Sequence, residues 1–214
     1  NALGSNIANI GLVLGLTLII SPILVGRTTA FTDLPLLLAI TILCGWLLHD
    51  GTLTAFDASI LSAALLLYFI RIAIHLRKPG VNDDTSEMES LPIGKAVGAF
   101  LVGLILLVGS SKVLVWAAVN IAEGFGVSEL VIGLTIVALG TSLPELAASM
   151  LSALKGHADI AIGAVVGSNM FNLLIVLALP GFFAPLTLSI TDIQRDLGTV
   201  FVTTAALAAL TWLG

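Results

Sequence analysis

The chain has 214 residues, 58% of them hydrophobic and 10% charged, with a mean hydropathy of +1.14. A soluble domain carries about 25% charged residues, so the composition excludes a soluble globular protein and points to one embedded in a bilayer. The net charge of −5 offers no basic surface for nucleic acid, and the single cysteine, Cys44, excludes an internal disulfide and a Cys/His zinc site.

About 20 apolar residues cross a bilayer as a helix. Seven such stretches follow one another: 4–26, 33–50, 56–76, 95–121, 128–154, 159–184 and 196–214. They must be helical, because lipid leaves no partner for open backbone groups. The breaks carry turn chemistry, as in Gly26-Arg27-Thr28-Thr29, His49-Asp50-Gly51-Thr52, Glu123-Gly124-Phe125-Gly126 and Lys155-Gly156-His157, and the 189–196 stretch reads as the last loop. Arg27, Arg71, Arg77, Lys78, Lys95 and Lys155 fall on one side and only Arg195 on the other. By the positive-inside rule the first side is cytoplasmic. Lys112 lies within a span and either lines a cavity or, as expected, snorkels to the outer interface. Asp33, Asp57, Asp159 and Asp196 fall near span ends and read as caps or interfacial groups.

The one long polar stretch, within 79–93, reads as a solvated acidic cytoplasmic linker, since it lacks the spacing and central glycine of an EF-hand loop. It divides the chain into 1–78 and 94–214. These halves share a motif: residues 4–9 read GSNIAN and residues 167–172 read GSNMFN, an offset of 163 that also aligns Pro22 with Pro185 and Asp33 with Asp196. The copies open the first and sixth spans, five crossings apart, so equivalent helices run in opposite directions. An inverted-topology repeat is a common construction of secondary transporters, with the substrate site near the midplane between the halves.

Before the second GSNxxN helix stands GTSLPE, residues 140–145, within an apolar stretch. A carboxylate near the bilayer centre costs at least about 2.5 kcal/mol on insertion scales, so Glu145 is expected to be protonated, paired or holding a cation. Pro144 has no N–H to give the carbonyl of Gly140, and Ala138, Leu139 and Gly140 are expected to turn carbonyls toward a cavity. Thr141 and Ser142 lie four and three residues before Glu145, on roughly its face. Ser168 and Asn172 share a face of the next helix, and Ser5 and Asn9 do so in the first copy. Asn6 and Asn169 point elsewhere, to cap or bind backbone. Carboxylate, hydroxyl, amide and carbonyl oxygens together are what hard cations such as Ca²⁺ require. Interhelical hydrogen bonding is the alternative use of the Ser and Asn side chains.

Residues 131–174 closely resemble the second alpha-repeat of the calcium/cation antiporter superfamily, in its prokaryotic sodium/calcium exchanger-like branch, through GTSLPE and the paired GSNxxN. The resemblance extends over essentially the whole chain. It implies an all-α polytopic membrane protein of two inverted five-helix halves, of whose ten helices about seven are present, the third to the ninth. On that reading the chain is a fragment whose partners include the missing helices of the same polypeptide. It implies exchange of Na⁺ or H⁺ for Ca²⁺ by alternating access, with no cofactor and with inorganic cations and membrane lipid as partners. The membrane expected is a prokaryotic inner or plasma membrane. Glu145 would be the central ligand, Thr141, Ser142 and the Ala138 carbonyl would serve flanking sodium sites, and Ser168, Asn172, Ser5 and Asn9 would line the cavity. Several exchangers carry Asp where this chain has Asn172, which leaves one potential negative charge fewer here. A carrier of other cations or a passive channel is the alternative. An intramembrane enzyme is disfavoured, because no midplane histidine or aspartate pair is evident.

Overall fold

The computed structural model describes residues 2–22, 25–76, 92–128, 132 and 136–213. Most of the expected acidic linker lies outside them, as do the side chains of His75 and Asp159.

Among the described residues, six helices are long and apolar enough to cross a membrane: α1 (Ala2–Ile20), α2 (Thr29–Leu47), α3 (Ala55–Leu76), α4 (Ile93–Gly124), the run Ile160–Phe182, and one over Ile190–Leu213. The expected span over 128–154 lies partly outside the described residues. Its described part includes a short turn of helix, Ala138–Gly140, a break at Thr141–Ser142, and α5 (Leu143–Leu154), an apolar helix of 12 residues. Pro144 causes the break: it occupies the first turn of α5, where its missing N–H is tolerated, and cannot continue the helix before it. The run Ile160–Phe182 comprises α6 (Ala158–Phe171), a π-helical turn over Asn172–Val176 and a 3₁₀ turn over Leu179–Phe182.

The last helix, α7 (Ile190–Leu213), begins six residues before the expected boundary at 196. Ser189 explains the difference. Its carbonyl accepts from Ile193 N–H at 3.0 Å, and its hydroxyl lies 3.4 Å from Asp192 N–H, so it caps the helix ahead of the polar turn. Asp57 behaves as expected of a cap: its Oδ2 accepts from the N–H and hydroxyl of Thr54 at 2.8 and 2.6 Å at the start of α3. Asp33 pairs with Arg71 at 3.1 Å and Asp196 with Arg195 at 2.9 Å.

The loops meet in agreement with alternate crossings. The segment after α2 forms strand β1 (Thr52–Leu53), which pairs antiparallel with β2 (Leu186–Thr187), so the loops before α3 and α7 share one side. At the opposite ends Trp212 Nε1 donates to the Ala30 carbonyl at 2.8 Å, and Ser21 Oγ lies 3.4 Å from the Ala153 carbonyl. Beside β1, the N–H and hydroxyl of Thr52 bond Asp50 at 2.9 and 2.8 Å and hold its exposed carboxyl below the ordinary aspartate range.

The core lies where α1, α2, α3 and α6 converge, around Leu14, Leu37, Leu61, Val165, Met170 and Leu173. Polar residues are buried with it, which positions the site. By contrast, among the described residues of α4 only Ala122 is buried, and Lys112 is exposed.

Candidate cation site

Both GSNxxN motifs deform their helices at the same place. In α1 the α-helix gives way to a π-turn at Asn9–Leu14, and at the end of α6 the same happens at Asn172–Val176. Asn9 and Asn172 are equivalent under the offset of 163. A π-turn widens the backbone by one residue and frequently marks a functional site. Here it lies where α1 and α6 cross, with each π-turn packed against the opposite copy.

At the crossing four asparagines bond across the repeat. Asn6 Nδ2 donates to the Asn169 carbonyl at 3.1 Å, and Asn169 Nδ2 donates to the Asn6 carbonyl at 3.3 Å. Asn172 Nδ2 donates to Asn6 Oδ1 at 2.9 Å, and Asn9 Nδ2 donates to Asn169 Oδ1 at 3.0 Å. Exchanging the two copies maps each pair of bonds onto itself, which is the local signature of the inverted repeat. Asn6, Asn9 and Asn169 are fully buried.

The network reaches the carboxylate through Ser168. Asn9 Nδ2 lies 3.3 Å from Ser168 Oγ, and Ser168 Oγ lies 3.5 Å from Glu145 Oε1, at the long limit of an O–H···O bond. Five buried side-chain oxygens among the described residues have no partner. Three belong to the motifs, Asn9 Oδ1, Ser142 Oγ and Glu145 Oε2; the others are Ser149 Oγ on α5 and Ser62 Oγ on α3. Each unsatisfied buried group costs about 1–3 kcal/mol, and more where it is charged. A cation that takes oxygen ligands, held at Glu145, would offset the cost of its unpartnered oxygen. Among the described residues no three His, Cys, Asp or Glu side chains come together, and the oxygen bonded to Glu145, that of Ser168, is neutral.

The structure gathers some of the expected residues and separates others. Glu145, Ser168 and Asn9 form one bonded chain, and Asn172 joins it through Asn6 and Asn169. Ser142 is 2% exposed. Thr141, next to it, is exposed and lines a cavity of about 450 Å³ against α4 with Lys112, Val115 and Pro144. The break at 141–142 ends the helical register that would have kept Thr141 and Ser142 on one face. Ser5 is half-buried on α1. Ala138 opens the turn Ala138–Gly140, which packs against the start of α1. The Leu139 carbonyl is not freed as expected, since it accepts from Ser142 N–H at 3.0 Å.

Two features went beyond the expected site. Asn6 and Asn169, assigned only to backbone, bond both backbone and the other asparagines; their being matched in both copies was the available signal. Ser149 was not singled out, although Ser142, Glu145 and Ser149 stand at i, i+3 and i+7, the spacing of one helical face.

The model of the family described as sodium/calcium exchanger protein matches residues 1–74 and 95–214. A candidate antiporter, CaxA of Alkalimonas amylolytica, is 40% identical over 97% of this chain and 67% of its own length. The inner membrane protein YrbG of Escherichia coli is 36% identical over 99% of this chain and 67% of its own. A solved structure of the sodium-calcium exchanger NCX_Mj, soaked without Na⁺ and Ca²⁺, superposes with a TM-score of 0.80 at 27% identity, over 99% of this chain and 67% of that one. The chain thus spans about two thirds of these relatives' length. It is an integral membrane protein, and it belongs to the sodium/calcium exchanger protein family.

Proposed function

We propose that the protein is a secondary antiporter that exchanges Na⁺ or H⁺ for Ca²⁺ across a prokaryotic inner membrane by alternating access. Glu145 is its central ligand. One observation carries this reading: a buried carboxylate oxygen, Glu145 Oε2, stands without a partner, as does the buried Asn9 Oδ1 of α1, whose amide is linked to Glu145 through Ser168 of α6. An isolated carboxylate at that depth is unfavourable, and a hard cation or a proton relieves it. Alternation between the two follows, because one carboxylate cannot hold both. The ions are substrates, and the protein is a carrier rather than an enzyme.

In this reading Ser168, Asn9 and Ser142 supply neutral oxygens, Asn172 and Ser5 line the same cavity as the symmetry equivalents of Asn9 and Ser168, and Thr141 and the Ala138 carbonyl serve flanking ions. Residues 1–78 and 94–214 are parts of two inverted halves, joined by a linker on the cytoplasmic side. The names of CaxA and NCX_Mj, an antiporter and a sodium-calcium exchanger, support exchange, and that of YrbG supports the inner membrane.

The test uses the full-length protein in sealed vesicles, with radiolabelled calcium uptake driven separately by outward sodium and outward proton gradients. Uptake that requires one gradient and is lost in Glu145→Gln supports antiport and names the coupling ion. Uptake indifferent to both gradients contradicts antiport and favours a channel.

A further inference from the structure

We propose that Asn6 and Asn169 are positioning residues that fix which atom of Asn9 and Asn172 faces the cation. The inference rests on the reading of Glu145 as the centre of a cation site.

An amide side chain has an acceptor end and a donor end of almost the same shape, and only its neighbours decide which way it turns. Asn6 and Asn169 have no such freedom. Each directs its Nδ2 at the other's backbone carbonyl, at 3.1 and 3.3 Å. Turning either amide over would set an oxygen against that carbonyl oxygen. With both donor ends fixed, both acceptor ends face the remaining asparagines: Asn6 Oδ1 takes the Nδ2 of Asn172 at 2.9 Å, and Asn169 Oδ1 takes that of Asn9 at 3.0 Å.

The consequence is clearest at Asn9. Its NH₂ has two hydrogens and two acceptors, Asn169 Oδ1 at 3.0 Å and Ser168 Oγ at 3.3 Å. Its donor end is therefore committed, and its Oδ1 is left buried with no partner. A fully buried amide with its oxygen unmatched is what a cation ligand needs, whereas an exposed NH₂ would repel the ion. The Ser168 hydroxyl, accepting from Asn9, has its own hydrogen left for Glu145 Oε1 at 3.5 Å. A residue that touches no ion thus sets the polarity of two that do.

The test compares Asn169→Leu, which removes the acceptor, with Asn169→Asp, which keeps one for Asn9 and, protonated on its other oxygen, still donates to the Asn6 carbonyl. Glu145→Gln is run beside them. In the full-length protein in vesicles, half-saturating calcium, maximal uptake and Tm are measured. Asn169→Leu is expected to raise half-saturating calcium by at least about tenfold, with maximal uptake per folded protein little changed, while Asn169→Asp stays within about threefold of wild type. A purely structural role would lower Tm without moving half-saturation, and that result in Asn169→Leu overturns the proposal. If Asn169→Leu does not fold, Asn169→Asp decides: wild-type-like half-saturation supports the proposal, and weakening beyond about tenfold overturns it. Unimpaired uptake in Glu145→Gln would instead overturn the underlying site, a result distinguishable from the others.

Discussion

Gly140 lies so close to Val115 of α4 that a methyl group added at Gly140 would overlap the Val115 side chain. This is the point at which the long exposed helix touches the GTSLPE turn. Glycine is required there by contact rather than by backbone conformation. Overpacking a tight contact costs about 1–3 kcal/mol. Gly140→Ala is therefore expected to lower Tm and slow calcium uptake, and Val115→Ala in the same molecule to restore both in part. A Gly140→Ala protein with unchanged Tm and uptake would show that α4 does not rest on this turn.

The pairing of β1 with β2 places Thr52 opposite Thr187. Directly paired residues in antiparallel strands bring Cα atoms about 4.5–5.5 Å apart, within disulfide range. The double variant Thr52→Cys, Thr187→Cys is expected to cross-link under mild oxidation, and each single variant to react with an impermeant thiol reagent from the same side. Cys44 is fully buried and should not compete. Labelling from opposite sides would contradict the order of crossings.

Helix α3 starts on a reciprocal cap between Thr54 and Asp57, with Asp57 N–H also 3.4 Å from Thr54 Oγ1. Loss of such a cap costs about 1 kcal/mol. Asp57→Ala should lower thermal stability by roughly that amount and leave half-saturating calcium unchanged. A shift in half-saturation would assign Asp57 to the transport path.

Asp33 and Arg71 are partly exposed, and such pairs contribute about 0–1 kcal/mol. A double-mutant cycle with Asp33→Asn and Arg71→Gln, followed by thermal unfolding, is expected to give a coupling in that range that weakens as salt rises. A coupling of several kcal/mol would mean that the pair is far better shielded than its exposure indicates.

Much of the fold was legible because the bilayer imposes long apolar helices, and because GSNIAN and GSNMFN repeat at an offset with odd crossing parity. The candidate site was legible in part for the same reason: Glu145 is too costly at that depth to stand idle. Helix boundaries were read less well. The Ser189 cap draws α7 six residues earlier, a local hydrogen-bonding effect that hydropathy cannot register. The break at Thr141–Ser142 turned two residues expected on one face to different surroundings, and it engaged the Leu139 carbonyl through Ser142 N–H. The Asn6–Asn169 exchange was hidden because side-chain direction at a helix crossing depends on how closely two backbones approach. Spacing within one helix does not contain that distance.

The central claim is that Glu145, with neutral oxygens around it, holds the transported cation. Equilibrium binding of radiolabelled calcium to the purified full-length protein, wild type beside Glu145→Gln, tests it most directly. Saturable binding that sodium or acid displaces, and that Glu145→Gln loses, is the predicted result. Undiminished calcium binding by Glu145→Gln would contradict it.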